Sequence, residues 1–307
     1  MKKILVLGSL NMDYAIQTAR MPRLGETILG TSVKLAPGGK GANQAYAIGK
    51  LGGNVEMLGA VGKDNYGEKL IQNLQQVKVG VSGIEILSEV ETGQAFISVV
   101  DDGNNAIVVI PGANGVIDKK MIDRNMRLIE NCEYIIMQME IPLDIVRYVK
   151  EVALSKGKKV ILDPAPAVGG LDDDFFYGIS LLKPNETELS ILSGRLCNTQ
   201  EEILSASRML LKKGVGNVIV TMGEKGCLMV NEKEEKFFPA FKVKCVDTTA
   251  AGDSFIAALV VALSEGKGYQ EAITFAQKIS AIVVTRNGAQ SSVPCRAEVE
   301  KTKIGRE

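Results

Sequence analysis

The sequence predicts an α/β protein: a central, mostly parallel sheet flanked by helices, with a small second β-sheet acting as a lid. Three observations predict it. Short apolar runs recur along the chain and end near glycine or polar residues, as buried strands do. Between them lie segments with apolar residues three and four apart, the spacing of amphipathic helices. Two stretches break that alternation and carry β-rich residues around turn signals. Alternating strand and helix implies parallel strands covered on both faces.

Taken in order, Lys3–Gly8 (KILVLG) reads as the first buried strand. Tyr14–Gln17 and Thr27–Lys34 look like short, half-polar strands outside the core. Ala42–Leu51 is a helix, Val55–Val61 a strand and Glu68–Gln76 a helix. Gln94–Ile110 reads as a hairpin, two β-rich arms about a DDGNN turn. Tyr134–Gln138, Val160–Asp163, Ile179–Lys183 and Val218–Thr221 repeat the strand pattern. Lys119–Glu130, Leu143–Lys156 and Glu201–Lys213 repeat the helical one. The expectation is one domain over 1–307, with strands from about 14–34 and 94–110 forming a lid over the strand ends or a dimer contact; an edge extension is the plainer alternative.

Composition narrows the function. Lysine plus arginine and aspartate plus glutamate number 36 each. That balance gives no electrostatic footprint for nucleic acid or for an anionic membrane. The longest apolar run, Phe255–Leu263, is far short of the ~20 residues of a spanning helix. The first apolar stretch gives way at once to Asn11 and Asp13, unlike a signal peptide, so a cytoplasmic protein is expected. The five cysteines are scattered and never paired as Cys-x-x-Cys, which suits buried thiols in a reducing compartment. There is no histidine. A serine–histidine–aspartate triad and a histidine-ligated zinc site are therefore excluded, and a general base must be a carboxylate, lysine, cysteine or tyrosine.

In open parallel sheets, ligands bind beyond the carboxyl ends of the strands. Several polar stretches stand there. Asp247–Phe255 (DTTAAGDSF) leads into an apolar helix. Its small residues Ala250, Ala251 and Gly252 permit a tight turn, and the first amides of a helix attract anions. Asp253 at that point is either a helix cap or a catalytic carboxylate. Pro37–Gln44 (PGGKGANQ) places three glycines around Lys40, with Asn43 as a further donor. It lacks the spacing of a Walker A loop, and no dinucleotide G-x-G-x-x-G follows the first strand. Asn11 and Asp13, two apart, point the same way on an extended chain and suit paired sugar hydroxyls, although a turn explains them as well. Lys183–Glu188 (KPNETE) is a strand-to-helix junction whose glutamates are also accounted for as dipole partners. Thr221–Gly226 (TMGEKG) is a glycine-bearing turn after a strand.

Together GSLNMD from Gly8, GGKGANQA, MQME around Glu140, DPAPA, KPNETE, TMGEKG, DTTAAGDSF and TRNGAQSSVP resemble the ribokinase family of carbohydrate kinases (PfkB type), over nearly the whole chain. The resemblance implies ATP-dependent phosphorylation of a small sugar at a primary hydroxyl, O5 of ribose first, with 2-deoxyribose, fructose or a nucleoside as other acceptors. A sugar-sensing binding protein is the non-enzymatic alternative. It implies Asp253 as the base and Ala250, Ala251 and Gly252 as the anion hole. Asn11, Asp13, Gly39, Lys40, Asn43 and Glu140 match sugar-binding positions. Asn185, Thr221, Gly223, Gly226 and Gly252 match nucleotide-binding ones. Gln277 stands where family members can carry a histidine near the adenine. Glu188 bears indirectly on Mg²⁺. Asp247, Thr249, Val283, Arg286, Gly288 and Ser292 match a K⁺ site, partly through main-chain carbonyls. Homodimers through the lid are implied as well.

Overall fold

Strand β1 (Ile4–Leu7) is buried along its whole length, and its side chains divide between two cores: Ile4 and Val6 enter one, Leu5 and Leu7 the other. A strand apolar on both faces must be covered on both. The structure, a computed structural model, describes residues 1–100 and 105–305; residues 101–104, most of the expected DDGNN turn, lie outside.

After β1 come β2 (Asn11–Thr18), β3 (Gly30–Gly38), α1 (Lys40–Lys50), β4 (Val55–Gly62), α2 (Asn65–Gln76), β5 (Gly80–Leu87), β6 (Gly93–Val100) and β7 (Asn105–Ile110). The middle of the chain holds α3 (Lys119–Arg124), α4 (Met126–Asn131), β8 (Tyr134–Met137), α5 (Leu143–Ser155), β9 (Lys159–Leu162), α6 (Asp173–Phe176), β10 (Ile179–Leu182) and α7 (Glu186–Ser193). The last third holds α8 (Gln200–Lys212), β11 (Asn217–Thr221), β12 (Gly226–Asn231), β13 (Glu235–Pro239), α9 (Ala251–Ser264), α10 (Tyr269–Val283) and α11 (Arg296–Lys301).

Among the described residues the main sheet has nine strands, in the order β13-β12-β11-β10-β9-β8-β1-β4-β5. Every neighbouring pair is parallel except β11–β12 and β12–β13. One core joins the sheet to α1, α2, α9, α10 and α11, through residues such as Ala45, Leu70, Ile256 and Ile273. The other joins the opposite face to the helices from α3 to α8, through Ile122, Val149, Phe176 and Leu210. Helix α9 is apolar nearly all round and buried along almost all its length, which fits its place between the sheet and its neighbours α1 and α10.

A separate four-stranded sheet has the order β3-β2-β6-β7. Tyr14 on β2 stacks on Phe96 of β6 within this sheet at 4.9 Å, and ties it to the main body through its hydroxyl, which donates to that of Tyr66 on α2 at 2.6 Å. Apolar residues of the sheet are exposed on both faces: by the strand register Val33, Leu35, Val108 and Ile110 share one face with Tyr14, and Ile107 and Val109 lie on the other.

The structure moves several sequence-derived boundaries. The small sheet reaches beyond the expected start at about 14 and end at about 34. Strand β2 begins at Asn11 and β3 runs to Gly38, because the ladder pairs Asn11 with Gly38 and Asp13 with Ala36 after the side-chain alternation has ceased. Thr27–Leu29, expected as strand, is not. The single helix expected over Lys119–Glu130 breaks at Asn125, whose side chain donates to the Met121 carbonyl at 3.0 Å and competes with the helix backbone. Strands β5, β12 and β13 and helix α10 carried no signal read from the sequence. Among the described residues no helix is long and apolar enough to cross a membrane.

Candidate functional site

The parallel strands β1, β8, β9, β10 and β11 end on one edge, and the polar residues that follow them converge there. Three residues separate β1 from β2, so the small sheet begins at this edge. Asn11 sits opposite a glycine on each neighbouring strand, Gly38 and Gly93. Its Oδ1 accepts from Asn114 Nδ2 at 2.8 Å, which turns its own amide nitrogen outward as a donor. Two positions on, the Asp13 carboxylate lies over Gly38, where any Cβ would come within 2.0 Å of Oδ2. Asp13 Oδ1 is buried without a hydrogen-bond partner. Burial first, then the carboxylates of Glu140 and Asp253, push its pKa up to about 7.

The glycine run has separate steric causes. Gly39 has φ +85° and lies against the Ser9–Asn11 backbone, and a Cβ on Gly41 would come within 2.6 Å of the Gly8 carbonyl carbon. Helix α1 can therefore start flush against the end of β1. Its first amide, from Lys40, donates to Glu140 at 3.1 Å, and Ser9 Oγ donates to the same carboxylate oxygen. Lys40 is half-buried and points into the site. Burial pulls its ammonium pKa down, but the carboxylates of Asp253, Asp163, Glu140 and Glu188 outweigh that and leave it above the ordinary lysine value.

Asp253 is not the cap of α9. The cap position is Ala250, in the left-handed region at φ 57° with no side-chain oxygen, a conformation costing a non-glycine residue about 1–2 kcal/mol. Asp253 stands three positions later, buried, and accepts from Asn43 Nδ2 and Gln44 Nε2, both at 3.0 Å. The lysine-bearing glycine stretch and the aspartate at the helix start thus meet directly. Of the three residues expected as the anion hole, Ala251 has its amide turned to the Thr248 carbonyl at 3.2 Å. Among the described residues the amides of Ala250, Gly252 and Asp253 have no protein acceptor, and they stand at the positive end of the helix.

Beside these residues opens a cleft of about 1200 Å³ lined by Lys40, Asp163, Lys183, Asn185, Glu188, Gly252 and Asp253. It continues past Thr221, Gly223 and Gly226 to Gln277, with Phe241, Val243 and Val284 as an apolar wall. Asn185 and Glu188 cap α7 reciprocally: Asn185 Oδ1 accepts the Glu188 amide at 2.7 Å and Glu188 Oε2 accepts the Asn185 amide at 2.8 Å. The glutamate's dipole-partner role is realised, and the same pair faces the cleft. The side chain of Gln277 is committed inward, donating to the Phe238 carbonyl at 2.8 Å.

The expected cation residues form two groups on neighbouring loops. Asp247 accepts from the Thr249 amide at 2.8 Å, the Thr249 hydroxyl at 2.6 Å and the Gly288 amide at 2.8 Å. Its burial would raise its pKa, but these bonds outweigh that and hold it below the usual carboxylate value. Arg286 donates its main-chain amide to the Val283 carbonyl at 3.0 Å and its guanidinium to the Ser292 carbonyl at 3.4 Å.

Sequence reasoning missed several residues that the structure places here. Asp163, following β9, pairs with Lys183, following β10, at 3.1 Å, both almost fully buried. Burial raises the Asp163 pKa while Lys183 and Lys40 pull it back. Gln44, Gln138 and Gln290 complete the polar packing around Asp253. Asp163 and Lys183 were visible inside DPAPA and KPNETE but had no pairing signal, since they meet only across the sheet.

Known proteins match this geometry. The profile described as pfkB family carbohydrate kinase matches residues 1–296. The chain is 37% identical over 297 residues to the ribokinase of Haemophilus influenzae, covering 97% of each. It is 38% identical over 291 residues to the deoxyribokinase of Salmonella typhimurium, covering 95% of each. The structure of Arabidopsis thaliana ribokinase complexed with ribose and ATP superposes with a TM-score of 0.92 at 33% identity, covering 98% of each chain. On the match of sequence and fold, this chain belongs to the pfkB family of carbohydrate kinases.

Proposed function

We propose that this chain transfers the γ-phosphoryl group of ATP to O5 of D-ribose, with Asp253 as the base. One observation carries the reading: the buried Asp253 carboxylate is held at 3.0 Å by both Asn43 and Gln44 of the glycine-run helix while heading the α9 amides at the mouth of the cleft. The ribose and ATP bound to the Arabidopsis relative support it.

The chemistry is mainly positioning. Asn11 donates to one sugar hydroxyl and Asp13 accepts from its neighbour. Lys40, Asn43 and Glu140 close the pocket, and O5 is directed at Asp253. As O5 bonds to the γ-phosphorus, its proton passes to Asp253, and the bond to the β,γ-bridging oxygen breaks with its electron pair leaving on ADP. The free amides at the start of α9 hold charge on the transferring group, a role worth about 3 kcal/mol per donor. Asn185, the Thr221–Gly226 turn and the apolar wall near Gln277 seat the nucleotide.

Glu188 suits an outer contact to Mg²⁺ carried by ATP, since one of its oxygens is already engaged by the Asn185 amide; the ion supplies charge neutralisation on the phosphates. Asp247, Thr249 and the carbonyls of the Val283–Ser292 segment offer oxygen donors suited to K⁺. Both Asp247 oxygens already accept protein donors, so main-chain carbonyls would carry most of that contact. A K⁺ held by these oxygens would supply the charge that braces the Asp247–Thr249 loop leading into α9. A second acceptor, 2-deoxyribose, is favoured by the deoxyribokinase relative at the same level of identity. The small sheet is proposed as a homodimer contact, since its exposed Val33, Leu35, Val108 and Ile110 share one face, the kind of apolar patch that marks an interface.

Asp253→Asn is expected to lower kcat by about 10²–10⁴-fold with ATP binding retained; the check is steady-state turnover beside calorimetric ATP titration, and near-normal turnover removes the base assignment.

The raised Asp13 pKa sets a direction for sugar binding. The folded chain holds this proton more tightly than the unfolded one, so the group favours folding at low pH, and that contribution is lost as pH rises toward about 7. A sugar hydroxyl needs the ionised carboxylate. Ribose affinity, measured by calorimetry, should therefore strengthen as pH rises through about 7, and Asp13→Asn should flatten the dependence. A slope that survives in Asp13→Asn points to another group.

Replacing K⁺ by Na⁺ should lower turnover at saturating ATP and sugar. Equal rates in the two salts count against the cation site.

The chain should sediment at twice its 32.9 kDa mass, and Val108→Lys should sediment as a monomer. A wild-type monomer at micromolar concentration overturns the dimer.

A further inference from the structure

The Asp253 carboxylate is the meeting point of two chains of side-chain amides. In the first, Gln138 Nε2 donates to Gln44 Oε1 at 2.6 Å, and Gln44 Nε2 donates to Asp253 Oδ1 at 3.0 Å and to Asp163 Oδ2 at 2.8 Å. In the second, Asn73 Nδ2 donates to Gln290 Oε1, Gln290 Nε2 to Asn43 Oδ1 at 3.0 Å, and Asn43 Nδ2 to Asp253 Oδ2 at 3.0 Å. Each carboxylate oxygen terminates one chain.

The direction of every bond follows from the carboxylates. Ionised Asp253 and Asp163 only accept, so Gln44 must present nitrogen to both and turn its carbonyl to Gln138. Asn43 must present nitrogen to Asp253 and its carbonyl to Gln290. All the N–H dipoles therefore point at the carboxylate, and aligned hydrogen bonds strengthen one another. Gln44 and Gln138 are fully buried and Gln290 nearly so. Gln138 keeps its own carbonyl unpaired, pressed toward Gly8. A buried acceptor without a partner opposes stability, so the first chain is not explained as packing.

An amide neither takes nor gives a proton near neutrality. It can grip a carboxylate without competing for the proton that carboxylate must accept, and each oxygen keeps a further lone pair free. We infer that these two amide chains hold Asp253 in its working orientation, with Gln44 and Gln290 as positioning residues that act through the carboxylate and through Asn43. The inference rests on Asp253 being the base. The chains anchor it to distant elements: Gln138 follows β8, Asn73 lies on α2, and Gln290 lies in the short turn Gln290–Ser292 before α11.

The test compares Gln44→Met, which keeps the length and loses both N–H donors, with Gln44→Glu, which keeps the shape and donates only when protonated. Gln44→Met should lower kcat by about a hundredfold while the KM values for sugar and ATP stay within about threefold. Gln290→Met, one residue further from the carboxylate, should cost about tenfold. The ratio of Gln44→Glu to Gln44→Met turnover should rise as pH falls from about 8 toward about 5, as the new carboxyl gains its proton. The other charged groups facing this point are Asp13 on β2, Lys40 on α1, Glu140 after β8, Asp163 after β9, Lys183 after β10 and Glu188 on α7. They are present in both variants; Asp163 and Asp253 also titrate together with the new carboxyl, so its proton uptake is shared across the three groups, and the ratio still rises as pH falls.

A Gln44→Met kcat within about threefold of wild type, or a pH-independent ratio, overturns the inference. If Gln44→Met does not fold, Gln290→Met decides by the same split between kcat and KM. The two readings fail differently. A fully active Asp253→Asn removes the base assignment, whereas an inactive Asp253→Asn beside a normal Gln44→Met removes the amide chains alone.

Discussion

The strand-edge site depends on gathering several charges at one place around one tightly buried ion pair. Lys183 and Asp163 are both nearly inaccessible and 3.1 Å apart. Removing one partner of such a pair typically costs about 3–5 kcal/mol, because the survivor is left charged and dry. Lys40 adds a second ammonium and Asp13, Glu140 and Asp253 add carboxylates; burial and then the neighbouring carboxylates raise the pKa of Asp13, and the carboxylates outweigh burial to keep Lys40 charged. Strands β1, β8, β9 and β10 make this possible by ending side by side. In the proposed reaction a polyanionic nucleotide would meet lysines and helix-start amides that are already in place, and little would have to reorganise as charge develops.

Much of this was legible in the sequence, and the reasons differ by residue. The α/β alternation showed because parallel strands buried on both faces read as unbroken apolar runs. Gly39, Lys40 and Gly41 were visible because a backbone that must approach another leaves glycine as its mark, and the contacts of Gly41 with the Gly8–Ser9 backbone confirm that cause. Asp253 was visible only as one of two alternatives. A cap and a catalytic carboxylate look alike one turn into a helix; the cap reading is removed by Ala250, which occupies the cap position in a left-handed conformation that no local pattern announces.

Other features were hidden for physical reasons. Gln44, Gln138 and Gln290 are ordinary polar residues on their own elements, and their partners lie 94 to 247 positions away. Only the folded chain brings those amides together. Asn185 and Glu188 illustrate the reverse difficulty. Their spacing is that of a capping box, a purely local device, yet the pair also forms part of the cleft wall. A motif that satisfies helix physics gives no hint that it faces a ligand as well.

Strand β2 has a consequence for how the enzyme handles its acceptor. It carries Asn11 and Asp13 at one end, and Tyr14 clamps its middle between Phe96 and Tyr66. An extended strand paired on both edges is stiff along its length. The groups proposed to read the sugar and the small sheet therefore ride on a single beam. If that sheet encloses the acceptor, recognition and enclosure share one mechanical part, and a poorly fitting sugar would be met by a misaligned roof rather than by a weak grip alone.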